Sequence, residues 1–276
     1  MSNKVKVNSP KRIAAIISVS VLGAFILLYE LFDITLTDNA VLSPIINMTV
    51  TRTLGALVFA VCMAYLGFKV MNPLRKPLGR SFLFILPCLA VVVNNFPIIS
   101  TLRGDAYLDS PWYYVLFYAA QCIAVATFEE LAFRGVVFLS LLEKRKSSVR
   151  GVFIAIVITS AVFGLVHLLN LLEGASPLPV LMQIGYSFLI GGMCSVVLVK
   201  TANIWLCVLL HAVFNFCGQL MPTLGGGHWW DTPTVIITVI LAIAVTVYIV
   251  YALIKITNEE TDRIFITQAS ASPSGK

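Results

Sequence analysis

The segment Phe128–Gly135 (FEELAFRG) places two adjacent carboxylates and one guanidinium in a run that is otherwise apolar from Trp112 to Leu142. A charged side chain at the centre of a bilayer costs at least about 2.5–3.5 kcal/mol, so intramembrane ionisable residues mark functional sites. A carboxylate held away from water and from cations is the group that a general base requires. The segment therefore predicts a site with carboxylate chemistry.

Two histidines are candidates to meet these carboxylates. The chain has three histidines, and His167 and His211 lie inside apolar runs, whereas His228 lies in the loop Gly225–Trp230 and is interpreted as solvated. At a rise of 1.5 Å per residue, Glu130, His167 and His211 lie roughly 20, 25 and 17 Å from the charged residues that end their runs. These depths agree within what helix tilt allows. We therefore expect one polar layer in the middle of the membrane.

Helical spacing assigns the acidic residues to different faces. Residues four apart stack on one face, so Glu130 and Arg134 are expected to pair, either as a structural ion pair or as part of the site. Glu129 points about 100° away and is left without a local cation. This predicts Glu129 as the general base.

The same spacing groups the other candidates. Phe163 and His167 share a face, as do His211 and Asn215, and the latter two could hydrogen-bond one oxygen as an oxyanion stabiliser requires. No serine or cysteine stands in a nucleophile–base pattern with these histidines. The chemistry that this set supports is hydrolysis by water activated by Glu and His, with or without a metal.

The composition is that of a polytopic membrane protein. The 276 residues are 59% hydrophobic and 12% charged, with a mean hydropathy of +0.93, whereas soluble domains carry roughly 25% charged residues. The net charge of +6 comes from short basic clusters between apolar runs, and no Lys/Arg stripe alternates with aromatic residues, so nucleic acid is not an expected partner. The six cysteines lack metal-type spacing and are interpreted as packing residues.

About eight transmembrane helices in a single all-α integral membrane domain, residues 1–276, are predicted. The catalytic motifs occupy about residues 110–220, and residues 257–276 are interpreted as a disordered polar tail. The expected helices are Ile13–Leu28, Thr53–Met71, Ser81–Ser100, Trp112–Leu142, Gly151–Leu172, Leu178–Val199, Asn203–Leu220 and Pro233–Ile254.

The basic residues predict that both termini are cytoplasmic. In alternate connecting segments, one set contains nearly all the lysines and arginines, and the opposite set contains only Arg52 and Arg103. Positive charge accumulates on the cytoplasmic side of membrane proteins. The remaining polar residues inside apolar runs are interpreted as interhelical hydrogen-bonding residues: Asn94, Asn95, Gln121, Asn170 and Gln183.

Three motifs on successive helices resemble a known family. Glu129-Glu130-x-x-x-Arg134, Phe163-x-x-x-His167 and His211-x-x-x-Asn215, in that order, are similar to the signature motifs of the CPBP family, which comprises CAAX prenyl endopeptidases and bacteriocin-processing (Abi-type) intramembrane proteases. The resemblance covers roughly residues 110–220. It implies a bundle of eight helices with a catalytic cavity inside the membrane.

The resemblance also implies a role for each residue. Glu129 and His167 would activate the attacking water, and His211 and Asn215 would stabilise the oxyanion. Glu130 and Arg134, with Phe163, would support the site. The family is also labelled a metalloprotease, in which case Glu129, His167 and His211 would hold Zn²⁺; without a tight HExxH pair, we favour the metal-free mechanism.

The expected partners are the lipid bilayer and a membrane-associated, prenylated or otherwise lipidated peptide or protein. Because no organelle-retention signal stands out, we expect a multi-pass protein of the bacterial plasma membrane, acting in bacteriocin maturation, immunity or surface-protein processing. The sequence does not define the oligomeric state. Two other classes remain open: a transporter or ion relay built on the buried charges, and a non-catalytic immunity or scaffold protein of the same fold.

Overall fold

A computed structural model describes residues 36–72 and 78–265; the predicted first helix, Ile13–Leu28, and the end of the tail, 266–276, lie outside the described residues. The helices and strands, in chain order, are α1 (Leu42–Leu66), α2 (Leu78–Val93), α3 (Ile98–Arg103), β1 (Ala106–Leu108), α4 (Tyr114–Glu130), a π-helix (Leu131–Phe138), α5 (Leu139–Glu143), α6 (Val149–Val166), a 3₁₀-helix (His167–Leu171), α7 (Pro177–Thr201), α8 (Ile204–Leu224), β2 (Gly225–Gly227), α9 (Thr232–Ile254) and α10 (Asn258–Phe265).

The predicted class, an all-α polytopic membrane protein, is confirmed. Within the described residues, five helical segments are long and apolar enough to cross a membrane: Leu42–Leu66, Val149–Leu171, Pro177–Thr201, Ile204–Leu224 and Thr232–Ile254. Many large apolar side chains on these helices are exposed, such as Ile240 and Val247 on α9, as expected of surfaces that face lipid. The total of eight helices and the cytoplasmic termini stay predictions.

Helix α1 begins eleven residues earlier than the predicted start at Thr53. The side-chain oxygen of Asn39 accepts hydrogen bonds from the backbone N–H groups of Val41 and Leu42, and these bonds start the helix before the apolar run. The helix ends at Leu66 and is capped by Gly67, whose φ of 79° is the left-handed conformation that glycine adopts freely. Arg52, which we had placed in a connecting segment, therefore lies in the middle of a helix.

The predicted helix Ser81–Ser100 is interrupted. Helix α2 ends at Val93, and the short α3 begins at Ile98, directly after Pro97. Proline disfavours helical backbone in the residue before it and has no N–H to donate, so the chain leaves the helix ahead of Pro97. The prediction of a continuous helix over residues 81–100 was therefore wrong at residues 94–97.

The predicted long fourth helix, Trp112–Leu142, is helical from Tyr114 onwards, but it is not uniform. The chain continues from α4 through the π-helix Leu131–Phe138 into α5. π-helical turns are rare and often accompany functional sites. Here the π-helix starts directly after the two glutamates.

The first part of the predicted disordered tail is an ordered helix. The Glu260 N–H donates to the Thr257 hydroxyl, and the Thr257 N–H donates to the Glu260 carboxylate, which is a capping box that starts α10. Lys200 binds the same Glu260 carboxylate, 2.8 Å away. The prediction of disorder was therefore wrong for residues 258–265, where capping and an ion pair outweigh the polar composition.

The described chain divides into two units. The first contains residues 36–67, 89–132 and 208–242, and the second contains residues 68–72, 78–88, 133–207 and 243–265. The single membrane domain stays a prediction.

In the first unit, α1 packs on α4 around a buried apolar cluster. The cluster consists of Ile45, Tyr114, Tyr118, Cys122, Leu220 and Leu224. The two short strands pair antiparallel, with Ala106 opposite Gly227, and the His228 N–H donates to the Asp105 carbonyl.

In the second unit, α6 packs on α7 and α10 lies against α7. Gly164 allows the close packing of α6 on α7, because a Cβ atom at this position would lie only 2.9 Å from the Ile184 carbonyl oxygen. The side-chain amide of Asn170 donates to Gln183 and so ties the 3₁₀-helix to α7.

Candidate active site

His211 lies between two carboxylates in the first unit. Its Nδ1 is 2.8 Å from Oε1 of Glu130, and its Nε2 is 3.6 Å from Oε2 of Glu129. The first distance is a hydrogen bond, and the second is too long for one and is an ion-pair separation. Because an ionised carboxylate only accepts, Nδ1 carries the hydrogen in the bond to Glu130, and Nε2 faces Glu129.

The two carboxylates differ in their access to water. The Glu130 side chain is 0% exposed, whereas that of Glu129 is 19% exposed. A buried carboxylate that binds a histidine orients that histidine, while a partly exposed one can reach water. Glu130 is therefore placed to orient His211, and Glu129 is accessible to water.

A ridge of residues four apart positions Glu130. Tyr114, Tyr118, Cys122, Ala126 and Glu130 are all buried on one side of α4. Ala126 packs against Val208 and Ala212 of α8, and these small side chains let the two helices approach closely. The close approach brings the last member of the ridge, Glu130, to His211.

Asn215 follows His211 by one turn of α8. The segment is α-helical throughout, so the two side chains share a face, as the sequence predicted. The Tyr118 hydroxyl lies 3.5 Å from the Asn215 carbonyl oxygen. Four of the predicted residues, Glu129, Glu130, His211 and Asn215, thus belong to the first unit.

The other three predicted residues, Arg134, Phe163 and His167, belong to the second unit, where Arg134 and His167 both contact the Phe163 ring. The Arg134 guanidinium lies 4.2 Å from the centre of the Phe163 ring, which is a cation–π contact. The His167 ring, at the start of the 3₁₀-helix, contacts Phe163 edge-on, with ring centres 5.5 Å apart. Phe163 is 2% exposed and so holds both groups against a fixed surface.

Arg134 is enclosed by a close helix contact as well. It is 2% exposed, and a Cβ atom on Gly191 would lie 3.1 Å from its Nη2 and 3.1 Å from the Ser160 hydroxyl oxygen. Such distances leave little room for a larger residue than glycine. Gly191 was not among the predicted residues, because the pair Gly191-Gly192 in an apolar helix carries no distinctive sequence signal.

The predicted pairing of Glu130 with Arg134 rested on α-helical stacking. The turn between them is π-helical, so residues four apart no longer stack as in an α-helix. In the first unit, Glu130 binds His211. The pairing with Arg134 stays a prediction.

Arg52 is a residue that the sequence interpretation missed. It lies in the middle of α1, 5.2 Å from the centre of the Phe128 ring, and Phe59 also packs against that ring. Phe128 directly precedes Glu129. The available signal was a lone arginine directly before the expected helix start at Thr53, and the early start of α1 places this charge inside a helix long enough to cross the membrane.

The geometry can be tested against a zinc ion. Two ligands of a tetrahedral Zn²⁺ at 2.0–2.1 Å from the metal are separated by about 3.3 Å. The 3.6 Å between Glu129 Oε2 and His211 Nε2 is close to this separation. Glu130 would then be the carboxylate that orients a ligating histidine through its other nitrogen. Glu129 and His211 therefore fit as two of the three ligands that the sequence suggested.

The fold and these residues define a membrane-embedded protein with a carboxylate–histidine site. Residues 111–217 match the family model described as type II CAAX prenyl endopeptidase Rce1-like. The segment that carries every predicted site residue therefore belongs to the CPBP family of intramembrane proteases, and the resemblance drawn from the motifs is confirmed. No curated protein and no solved structure matches the chain.

The long apolar helices mark an integral membrane protein, and the match over residues 111–217 supports the general activity of a CAAX-type intramembrane endopeptidase. The match does not define the individual substrate, the mechanism or the cellular membrane.

Proposed function

We propose that the protein hydrolyses a peptide bond in a membrane-associated or lipidated peptide or protein by means of water activated at Glu129. The observation that carries this proposal is the placement of His211 between Glu130, at 2.8 Å, and the more exposed Glu129, at 3.6 Å. One histidine bound by a buried carboxylate and facing a second, accessible carboxylate is an arrangement suited to general acid–base catalysis.

In the proposed reaction, Glu129 takes a proton from water while the water oxygen attacks the carbonyl carbon of the scissile bond. The carbonyl oxygen becomes an oxyanion. His211, in its doubly protonated form with Nδ1–H held by Glu130, donates Nε2–H to that oxyanion, and the Asn215 amide supplies a second donor. When the C–N bond breaks, Glu129 returns the proton to the departing amine.

The family resemblance implies that His167 orients the attacking water together with Glu129, and we keep this role in the scheme. Within its own unit, the His167 ring packs against Phe163. Arg134 makes a cation–π contact with the Phe163 ring and so helps to fix the position of that ring. Phe163 and Arg134 are therefore proposed as supporting residues and not as groups that touch the substrate.

A zinc ion is the alternative source of activated water. Held by Glu129, His167 and His211, it would lower the pKa of a bound water and polarise the scissile carbonyl. We propose the metal-free version, because the chain has no tight HExxH pair and the partly exposed Glu129 can itself take a proton from water.

For the substrate and membrane, we propose a lipidated or membrane-associated protein of the bacterial plasma membrane. The CAAX-type family supports a lipidated substrate, and the long apolar helices support a multi-pass location. Maturation of a bacteriocin, an immunity factor or a surface protein is the corresponding biological role.

The proposal is tested by comparing peptide termini in membranes that contain the wild type or Glu129→Gln. Glu143→Gln, which changes an exposed glutamate of the same chain segment, is the matched control. New termini are expected with the wild type and the control and not with Glu129→Gln. Equal termini for all three proteins, at equal abundance, would refute the proposal and favour a transporter or scaffold.

A further inference from the structure

Two adjacent asparagines stand at the break between α2 and α3, and they bond to different helices. The Asn94 side-chain amide donates to the Thr238 hydroxyl of α9, at 2.8 Å, and the Asn95 side-chain amide donates to the Phe214 carbonyl of α8, at 3.1 Å. All four residues belong to the first unit, and both asparagines are half-buried. The two bonds are therefore similar, but only that of Asn95 reaches the residue directly before Asn215.

The Asn95 amide occupies a notch on α8 that Gly218 leaves open. A Cβ atom on Gly218 would overlap Nδ2 of Asn95 and would lie 3.0 Å from its Cγ. A larger residue at position 218 would therefore push this amide away from α8. Phe214 is four residues before Gly218 on the same helix, so the notch and the bonded carbonyl are neighbours.

The part of α8 that follows Asn215 gains little support from its own sequence. Glycine and proline are the least favourable residues in a helix interior, and Gly218 and Pro222 both lie in this part. Pro222 also has no N–H to donate to the Gly218 carbonyl, four residues earlier. A carbonyl oxygen can accept two hydrogen bonds, so the Asn95 bond to Phe214 adds to those of the helix.

The Asn95 bond acts on a peptide group that includes Asn215. The Phe214 carbonyl and the Asn215 N–H belong to one planar group, so a bond to the oxygen fixes the orientation of that plane. The Tyr118 hydroxyl lies 3.5 Å from the Asn215 carbonyl, on the next peptide group. Side chains from outside α8 therefore contact the peptide groups on both sides of the Asn215 Cα atom, and these two planes set the direction of the Asn215 side chain.

We propose that Asn95 is a positioning residue that acts through Asn215. The inference rests on the proposed function, in which the Asn215 amide donates to the oxyanion. Such a donor stabilises the transition state most when it already points to where the charge develops. Asn95 holds the Asn215 backbone in place and so keeps this donor preorganised, without itself touching the substrate.

The test compares Asn95→Leu with Asn94→Leu as the matched control. Each change removes one interhelical hydrogen bond of a half-buried asparagine and keeps a side chain of similar size. Cleavage of a fluorescent farnesylated peptide with a CAAX end gives kcat and KM, and thermal unfolding in detergent gives the stability. We expect both variants to lose similar stability.

Only Asn95→Leu should lower kcat. We expect a fall of about tenfold, less than the roughly 10²–10³ that loss of an oxyanion donor costs, because the Asn215 amide is still present but less well held. KM should be nearly unchanged, since the affected contact is made only in the transition state.

Gly218→Ala perturbs the same contact without a change to Asn95. Its methyl group takes the place of the Asn95 amide, so we expect lower stability and a similar fall in kcat. The double variant of Asn95→Ala with Gly218→Ala removes this overlap and should be more stable than Gly218→Ala alone. Its kcat should stay low, because the bond to Phe214 is still absent. A purely structural role of Asn95 predicts instead that kcat recovers together with stability.

Hydrogen exchange of the α8 segment around Asn215, measured by mass spectrometry, tests the positioning without any cleavage. Exchange should be faster in Asn95→Leu than in the wild type, and unchanged in Asn94→Leu.

Equal kcat in the two leucine variants, recovery of kcat in the double variant, or unchanged exchange in Asn95→Leu would each overturn the inference. Absence of cleavage by the wild type would refute the proposed function instead. The exchange rates would then decide alone whether Asn95 holds the Asn215 backbone.

Discussion

The hydrogen bond between Nδ1 of His211 and Oε1 of Glu130, 2.8 Å long, joins a fully buried carboxylate on α4 to a buried histidine on α8. Such a bond fixes both the rotation of the imidazole ring and the nitrogen that carries its hydrogen. Nε2 is thereby directed towards Glu129. The more buried glutamate consequently has an orienting role, and it is distinct from the proposed base.

Replacement of Glu130 should separate the charge of this residue from its hydrogen bond. Glu130→Gln keeps an oxygen that can accept from Nδ1, so we expect it to retain folding and part of the activity. Glu130→Leu leaves a buried N–H without a partner, which costs about 1–3 kcal/mol of stability. We expect this variant to lose at least about tenfold in kcat as well, because the ring is no longer oriented.

Thermal unfolding in detergent and turnover of a farnesylated peptide would measure the two effects. The exposed Glu143→Gln variant serves as the control, with no change expected in either property. Full activity and unchanged stability in Glu130→Leu would show that the His211 orientation does not depend on Glu130.

Gly191 should be intolerant of even one methyl group. A Cβ atom there would lie 3.1 Å from both the Arg134 guanidinium and the Ser160 hydroxyl. Overpacking of this kind typically costs about 1–3 kcal/mol. We expect Gly191→Ala to lower the unfolding temperature and to reduce activity, because Arg134 contacts the Phe163 ring that also supports His167.

Gly185 is a matched control on the same helix, because nothing lies within 4 Å of a Cβ atom placed there. Gly185→Ala should raise stability by up to about 1 kcal/mol, since alanine favours helical backbone. Equal unfolding temperatures for the two alanine variants would contradict the close approach at Gly191.

Asp231 should make stability depend on pH at the start of α9. Burial acts to raise the pKa of Asp231, but hydrogen bonds from Thr234 and Ser100 outweigh it and hold the pKa below its usual range. A carboxyl group with a lowered pKa stabilises the folded state above its unfolded pKa of about 3.9. That contribution is lost as the pH falls through the lower pKa of the folded state.

The measurement compares unfolding temperatures of the wild type and Asp231→Asn at pH 7 and at pH 3. The wild type should be more stable at pH 7, and the difference should shrink at pH 3. Asp109→Asn, at an exposed site, should show no such change. A difference that is the same at both pH values would mean that the charge of Asp231 does not contribute.

The sequence predicted the membrane class and the chemical groups of the site for physical reasons. Charges are so costly in an apolar run that Glu129, Glu130 and Arg134 stand out without any structure. The prediction that His211 and Asn215 share a face holds because α8 is a regular α-helix at these residues. Regular geometry is what a periodicity argument assumes.

The predictions failed where local interactions override the apolar pattern. The early start of α1 depends on the hydrogen bonds of Asn39, and α10 depends on the capping box of Thr257 and Glu260. The π-helix after Glu130 has no compositional signal, and it removes the basis for pairing Glu130 with Arg134 by spacing. The bond from Glu130 to His211 joins residues 81 positions apart, which single-sequence spacing does not reveal.

The final prediction concerns the metal. We expect the purified protein to keep its cleavage of a farnesylated peptide after treatment with a zinc chelator, and to contain far less than one zinc ion per chain. The physical reason is that the Nδ1 and Nε2 atoms of His211 face Glu130 and Glu129, at 2.8 and 3.6 Å, so the water can be activated by the carboxylate alone. A chelated sample returned to buffer with zinc should show no gain. Loss of cleavage on chelation, restored by zinc at one equivalent per chain, would instead assign Glu129 and His211 as ligands, and Glu130 would become the group that orients a ligating histidine.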